Sequence, residues 1–91
     1  MTAPVRPAGA LTGPQLEALR LSANGWTSER IGRHVGTTRG AIDLRLKYAA
    51  RSLGASSRTH AVALAMARGL IDPADIRPAH ATNITKESNT A

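Results

Sequence analysis

The chain has 91 residues and a net charge of +6, and it contains no Cys, no Phe, one Trp and one Tyr. A chain of this length accommodates a single domain. The absence of Cys excludes both a disulfide framework and a Cys-based zinc site. With 17 Ala and so few aromatic residues, any core must consist of Leu, Ile, Val and Ala, which favours helices over strands.

Membrane and export signals are missing from the sequence. No apolar run reaches the ~18 residues that a membrane-spanning helix needs. Residues 1–7 lack the apolar core of a signal peptide, so we expect a cytoplasmic protein without a membrane segment.

Residues 27–53 carry six bases and two acids, which concentrates the positive charge there. A polyanion is the natural partner of such a segment, although a solvated basic face has the same composition.

Residues 1–10 contain two Pro and a Gly without apolar periodicity, which predicts a disordered lead. The first helix is predicted to begin after Thr12, because Thr12 and Gln15 have the spacing of a capping box. It is predicted to end at Asn24-Gly25, a typical helix terminator.

The second helix is predicted to begin after Thr27 and to end at Gly36 after about two turns. Trp26 and Ile31 have the spacing of the apolar pair that staples a helix start, and Ile31 and Val35 are predicted to face inward. We therefore interpret Trp26 as a packing residue; the alternative is a stacking platform for a nucleic-acid base.

Thr38 is the predicted N-cap of a third helix that runs to about Leu53. Its apolar residues recur at i, i+4, i+7 and i+11, which predicts a core stripe formed by Ile42, Leu46, Ala49 and Leu53. At 100° per residue, the opposite face carries Gly40, Leu44, Lys47 and Arg51, flanked by Asp43 and Tyr48.

Ser57 is the predicted N-cap of a fourth helix over residues 58–68 that is apolar on all sides. Val62, Ala65 and Met66 are predicted to close the core. Ala63, Leu64 and Ala67 would then face water, which favours a twofold dimer interface over a mildly apolar surface. We place the domain at residues 11–71, followed by a short turn after Asp72 and a flexible tail to residue 91.

The second and third helices form a predicted helix-turn-helix. Gly32 lies in mid-helix, where it costs about 1 kcal/mol relative to Ala, and a small residue there permits a close crossing of the two helices. Gly36 suits the left-handed backbone of a tight turn, and Ile42 lies where the third helix must anchor to the second.

Residues 11–71 resemble the LuxR-type (GerE-like) DNA-binding domain without a gap. The match consists of Leu11-Thr12, Glu17, Leu19, Leu21, Ala23-Asn24-Gly25, Thr27, Ile31, Val35, Thr38, Ile42, Arg51, Leu53-Gly54, Arg58, Ala61-Val62 and Gly69-Leu70-Ile71. The resemblance implies an all-α, four-helix domain whose third helix enters the DNA major groove and whose fourth helix dimerises.

The sequence departs from the family pattern at Gln15, Ala18, Ala41, Asp43, Arg45 and Ser52. Family members usually carry Lys where this chain has Asp43, so one expected phosphate or guanine contact is missing. Asp43 could accept a hydrogen bond from a cytosine amine, but an intrahelical pair with Arg39 or Lys47 is favoured. The family's sequence preference therefore does not transfer to this chain.

Candidate DNA-binding residues follow from these positions. Hydroxyls at helix N-termini suit phosphate oxygens, cations suit phosphate or guanine, and apolar side chains suit the thymine methyl. The candidates are Thr27, Ser28, Arg30, Arg33, Thr38, Arg39, Gly40, Asp43, Leu44, Lys47 and Arg51. The alternative for the hydroxyls is plain N-capping, and the alternative for Leu44 is an ordinary exposed Leu.

Enzyme chemistry is not expected. His34, His60 and His80 lie far apart in the sequence, and no acid pair, nucleophile elbow or phosphate loop occurs. We therefore expect no metal and no cofactor. The leading hypothesis is a stand-alone, dimeric transcriptional regulator that binds double-stranded DNA sequence-specifically. The alternative is a protein-interaction module resembling sigma-factor region 4, which docks on RNA polymerase or a regulatory protein such as a sigma factor.

Overall fold

The computed structural model describes residues 11–78, and this part of the chain is all-α. It comprises α1 (Gly13–Ala23), α2 (Ser28–Val35), α3 (Arg39–Leu53), α4 (Arg58–Ala67) and a short 3₁₀ helix, Pro73–Asp75. The predicted four-helix fold class is confirmed. No helix within residues 11–78 is long and apolar enough to cross a membrane. The predicted lead over residues 1–10 and the tail from residue 79 onward lie outside the described residues.

Each α-helix begins at the side chain predicted to cap it. The caps are Thr12, Thr27, Thr38 and Ser57, and each hydroxyl accepts from the backbone N–H three residues further on. At α1 the Gln15 side chain accepts from the Thr12 N–H in return, which completes the capping box. These bonds satisfy N–H groups that have no partner inside the helix, and each contributes about 1 kcal/mol.

The core is small and aliphatic, and α3 lies at its centre. The four predicted stripe residues of α3 (Ile42, Leu46, Ala49 and Leu53) are all buried. α3 packs against α1, α2 and α4. Because its inward side is occupied by three helices, only its outward side remains available to a ligand.

Two predictions about inward-facing residues were wrong. Val35 is 38% exposed, because it is the last residue of α2 and the chain turns away at Gly36. On α4 the fully buried residues are Ala61 and Ala65. Leu64, which was predicted to face water, is half-buried and packs against the core. The prediction that Val62, Ala65 and Met66 face the core is confirmed, since Ala65 is buried and the other two pack against the core. The small Ala side chains allow α4 to approach its neighbours closely, which moves the centre of the inward stripe.

The segment after α4 is attached to the end of α1. Ile71 is 1% exposed and completes the core. The Asn24 side chain donates to the Asp75 carbonyl at 3.2 Å and accepts from the Arg77 N–H at 2.7 Å. The chain is therefore held against the helices as far as Arg77.

Candidate nucleic-acid interface

The turn between α2 and α3 is built around Gly32. A Cβ added at Gly32 would lie 2.8 Å from the Thr37 carbonyl oxygen and 3.1 Å from the carbonyl carbon of Thr38. The Thr37 N–H donates to the Gly32 carbonyl at 2.7 Å, and Gly36 has a φ of 83°. The close approach predicted for Gly32 is therefore present, but its partner is the backbone of the turn. Gly32 thereby fixes the start of α3 against α2.

The outward face of α3 carries most of the predicted binding residues. They are all exposed, and they comprise Arg39, Gly40, Asp43, Leu44, Lys47 and Arg51, with Thr38 exposed at the N-cap. Tyr48, which was predicted to flank this face, is 44% exposed. A helix of 15 residues thus presents cations, one apolar side chain and one glycine on a single accessible face.

Asp43 forms the intrahelical pair that the sequence favoured, and its partner is Arg39. Arg39 Nε and Asp43 Oδ2 are 3.7 Å apart, and the two side chains are 74% and 51% exposed. Exposed pairs of this kind contribute little to stability. Their effect here is electrostatic, since the carboxylate partly offsets the Arg39 charge at the edge of the α3 face.

α2 brings a second group of predicted residues to the surface. The Arg30 guanidinium stacks over the Trp26 ring, with its carbon 3.8 Å from the ring centroid. The His34 ring meets Trp26 edge-on at 5.1 Å between centroids. Arg33 is exposed. Trp26 is half-buried and packs against the core. The ring face on which Arg30 stacks is not open to a base.

Ser28 is the one predicted site residue whose side chain is buried. It is 6% exposed, and its hydroxyl accepts from Arg58 at 3.1 Å. The same guanidinium donates to Ser22 Oγ at 2.6 Å and to the Trp26 carbonyl at 3.2 Å. Arg58 therefore ties the start of α4 to the α1–α2 junction.

This role of Arg58 was not predicted from the sequence. A signal was nevertheless present, because a basic residue in the first turn of a helix opposes the helix dipole. Such a local mismatch indicates that the side chain has a partner elsewhere in the fold.

Two open grooves lie along the Asp43 flank of α3. The larger, of about 730 Å³, lies between the first turns of α2, α3 and α4, and its charged residues are Glu29, Arg39, Asp43 and Arg58. The smaller, of about 380 Å³, lies between α3 and the start of α4 and is lined by Lys47, Arg51 and again by Asp43 and Arg58. The larger groove is lined by two bases and two acids. The excess positive charge of α3 therefore lies in its C-terminal half, which carries Arg45, Lys47 and Arg51.

On α4, the predicted dimer residues have different environments. Ala63 and Ala67 are exposed, whereas Leu64 is half-buried.

No group of three or more His, Asp or Glu residues within residues 11–78 is arranged to hold a metal ion.

The fold and the exposed face of α3 define a small helix-turn-helix domain. No family model matches the chain. Over 67 residues, 74% of the chain, it is 37% identical to the transcriptional activator protein BjaR1 of Bradyrhizobium diazoefficiens. Over 58 residues, 64% of the chain, it is 40% identical to the probable transcriptional regulatory protein SgaR of Hyphomicrobium methylovorum. The match covers 28% of each relative's length, so the similarity is to one part of two transcriptional regulators.

Proposed function

We propose that the chain is a LuxR-type DNA-binding domain of a transcriptional regulator and that it binds double-stranded DNA with α3 in the major groove. The observation that carries the proposal is the outward face of α3, where Lys47 and Arg51 are exposed on a helix whose other side is buried in the core. A major groove about 12 Å wide admits one α-helix. The similarity to two transcriptional regulators supports the same function.

The positions of the side chains suggest a division of roles. Lys47 and Arg51 contact phosphate or guanine, because they lie on the part of α3 with the greatest positive charge. Gly40 allows close approach of the groove, since a Cβ added there would meet only Thr38 Oγ1, at 4.0 Å. Arg30 and Arg33 extend the basic surface along α2 toward the DNA backbone.

The first turns of α2 and α3 supply N–H groups for phosphate oxygens. The hydroxyls of Thr27 and Thr38 cap these helices and remain at the surface. The Ser28 hydroxyl is bonded to Arg58 inside the domain, so only its backbone N–H is assigned to the interface.

The test is selection from randomised duplexes followed by gel-shift titration in a salt series. We expect an enriched sequence and an affinity that falls steeply with salt, because phosphate contacts release counterions. Arg51→Ala is expected to lower the affinity at least tenfold, since a guanine or phosphate contact is lost. Arg68→Ala, at the C-cap of α4, is the control, because it removes the same charge away from α3. Absence of an enriched sequence, together with an unchanged affinity for Arg51→Ala, would contradict the proposal.

We further propose that the domain acts as a homodimer through α4, with Ala63, Leu64 and Ala67 at the twofold contact. The two Ala side chains are exposed and small, which permits close approach of a second copy of the helix. Such a dimer would bind two inverted half-sites about one helical turn apart.

A further inference from the structure

We infer that α3 recognises thymine, by contact of the Leu44 side chain with the thymine C5 methyl group in the major groove. This inference rests on the proposed DNA binding and specifies the class of base pair that the centre of the α3 face selects. It concerns one side chain, so it can fail while the proposed function stands.

Leu44 lies near the centre of the outward face of α3, among Gly40, Lys47 and Arg51. Tyr48, one turn further on, is rotated from Leu44 by about 40° around the helix axis and lies at the flank of that face. Leu44 is 47% exposed and Tyr48 is 44% exposed, and both are large hydrophobic residues on the outside of the fold. A role in the core therefore does not explain why position 44 carries a large apolar side chain.

The space around Leu44 is open on its N-terminal side. A Cβ placed on Gly40 would meet nothing closer than 4.0 Å, so the groove floor can approach α3 at this point. Arg39 is engaged by Asp43 at the edge of the helix, and Lys47 lies one turn further toward the C-terminus. Leu44 is consequently the apolar side chain that a groove along the middle of α3 would meet.

An apolar side chain in that position distinguishes between bases. Of the groups that base pairs present in the major groove, only the thymine C5 methyl is apolar. Leu44 placed against a guanine oxygen or a cytosine amine would remove water from a polar group without replacing its hydrogen bond. Both the attraction and the penalty therefore favour a T·A pair opposite Leu44.

The test uses the full chain and the duplex obtained by selection. Each thymine of the duplex is replaced in turn by deoxyuridine, which removes only the methyl group. We expect one or two positions in each half-site where the wild-type affinity falls about fourfold, the factor that corresponds to ~0.8 kcal/mol for one buried methyl group. Leu44→Ala is expected to bind the thymine and deoxyuridine duplexes equally.

Two controls isolate the contact. Leu70→Ala truncates another exposed Leu, outside α3, and should retain the fourfold discrimination. Thermal unfolding of Leu44→Ala should match that of the wild type, since the side chain is largely exposed. The inference is overturned if no position is sensitive to deoxyuridine, or if Leu44→Ala retains the sensitivity. In either case the proposed DNA-binding function still stands. Failure of the chain to select any sequence would overturn the proposed function, and this inference with it.

Discussion

A methyl group added to Gly32 and one added to Gly40 would meet opposite surroundings. At Gly32 the added carbon would lie 2.8 Å from a backbone oxygen that cannot move without displacing the turn, whereas at Gly40 it would enter open space. We expect Gly32→Ala to lower the free energy of unfolding by about 1–3 kcal/mol, since overpacking outweighs the gain in helix propensity. Gly40→Ala should instead raise it, by up to about 1 kcal/mol.

Urea denaturation of the two variants checks this prediction, and the sign of the difference is the result that matters. Both substitutions change helix propensity in the same direction, so equal effects would mean that the contact between Gly32 and the turn is not what constrains this position.

Arg58 is the residue whose role depends most on the assembled fold. Arg58→Ala removes three hydrogen bonds and leaves the buried Ser28 hydroxyl without its donor. We expect a loss of about 1–3 kcal/mol in the free energy of unfolding. Arg68→Ala, at the C-cap of the same helix, should cost no more than about 0.5 kcal/mol, as is usual for exposed positions. Thermal or urea unfolding of the pair measures the difference, and equal losses would show that the Arg58 network contributes no stability.

The Asp43–Arg39 pair was predictable from sequence, whereas the Ser28–Arg58 contact was not. The pair joins residues four apart on one helix, a spacing that brings side chains together in any α-helix. Ser28 and Arg58 are 30 residues apart and meet only because α4 packs beside the α1–α2 junction. A hydroxyl at a helix start has the same sequence pattern whether it faces solvent or the interior.

At the scale of the helix, the boundaries were predictable because the signals that set them are local. All four predicted N-caps form the expected hydrogen bond, and α2 and α3 end at Gly36 and Gly54 with positive φ. The direction that α4 faces was less predictable, since seven consecutive apolar residues (61–67) leave no polar side to orient the helix. The face that points inward carries Ala61 and Ala65, which are both buried. Their small side chains allow α4 to pack closely against the other helices.

The charge of α3 can be altered without disturbing its packing. Asp43→Asn removes the carboxylate that offsets Arg39 and should raise DNA affinity severalfold. If the released Arg39 binds a phosphate, the slope of log affinity against log salt should steepen by about one. Stability should change by less than about 0.5 kcal/mol, because the pair is exposed. Gel-shift titration at several salt concentrations gives both quantities.

Asp75→Asn is the matched control for that measurement. Asp75 is exposed on the 3₁₀ helix, so the substitution makes the same change in net charge away from α3. Equal effects of the two substitutions would assign the gain to net charge alone and would contradict a specific position of Asp43 at the interface.

At the scale of the whole molecule, self-association is the property that the structure makes directly testable. Leu64 packs partly on the core, so a charge at that position would disturb folding as well as an interface. Ala67 is exposed, and Ala67→Glu should weaken dimerisation while leaving the fold intact. We expect light scattering to find a wild-type dimer at high micromolar concentration and a shift of the variant toward monomer.

Ala74→Glu provides the control, because it introduces the same residue at an exposed Ala outside α4. It should leave the mass unchanged. A monomeric wild type at high micromolar concentration, or an unaltered mass for Ala67→Glu, would reject α4 as the dimer contact without affecting DNA binding by a single domain.

The contact between Gly32 and the turn has a consequence for the thermodynamics of binding. Because the Thr37 and Thr38 carbonyls rest against Gly32, and the Thr37 N–H is bonded to the Gly32 carbonyl, α2 and α3 have little freedom to pivot separately. Their relative orientation is set before any ligand arrives. Binding therefore loses little backbone entropy, and the ordering cost falls mainly on long surface side chains such as Lys47 and Arg51.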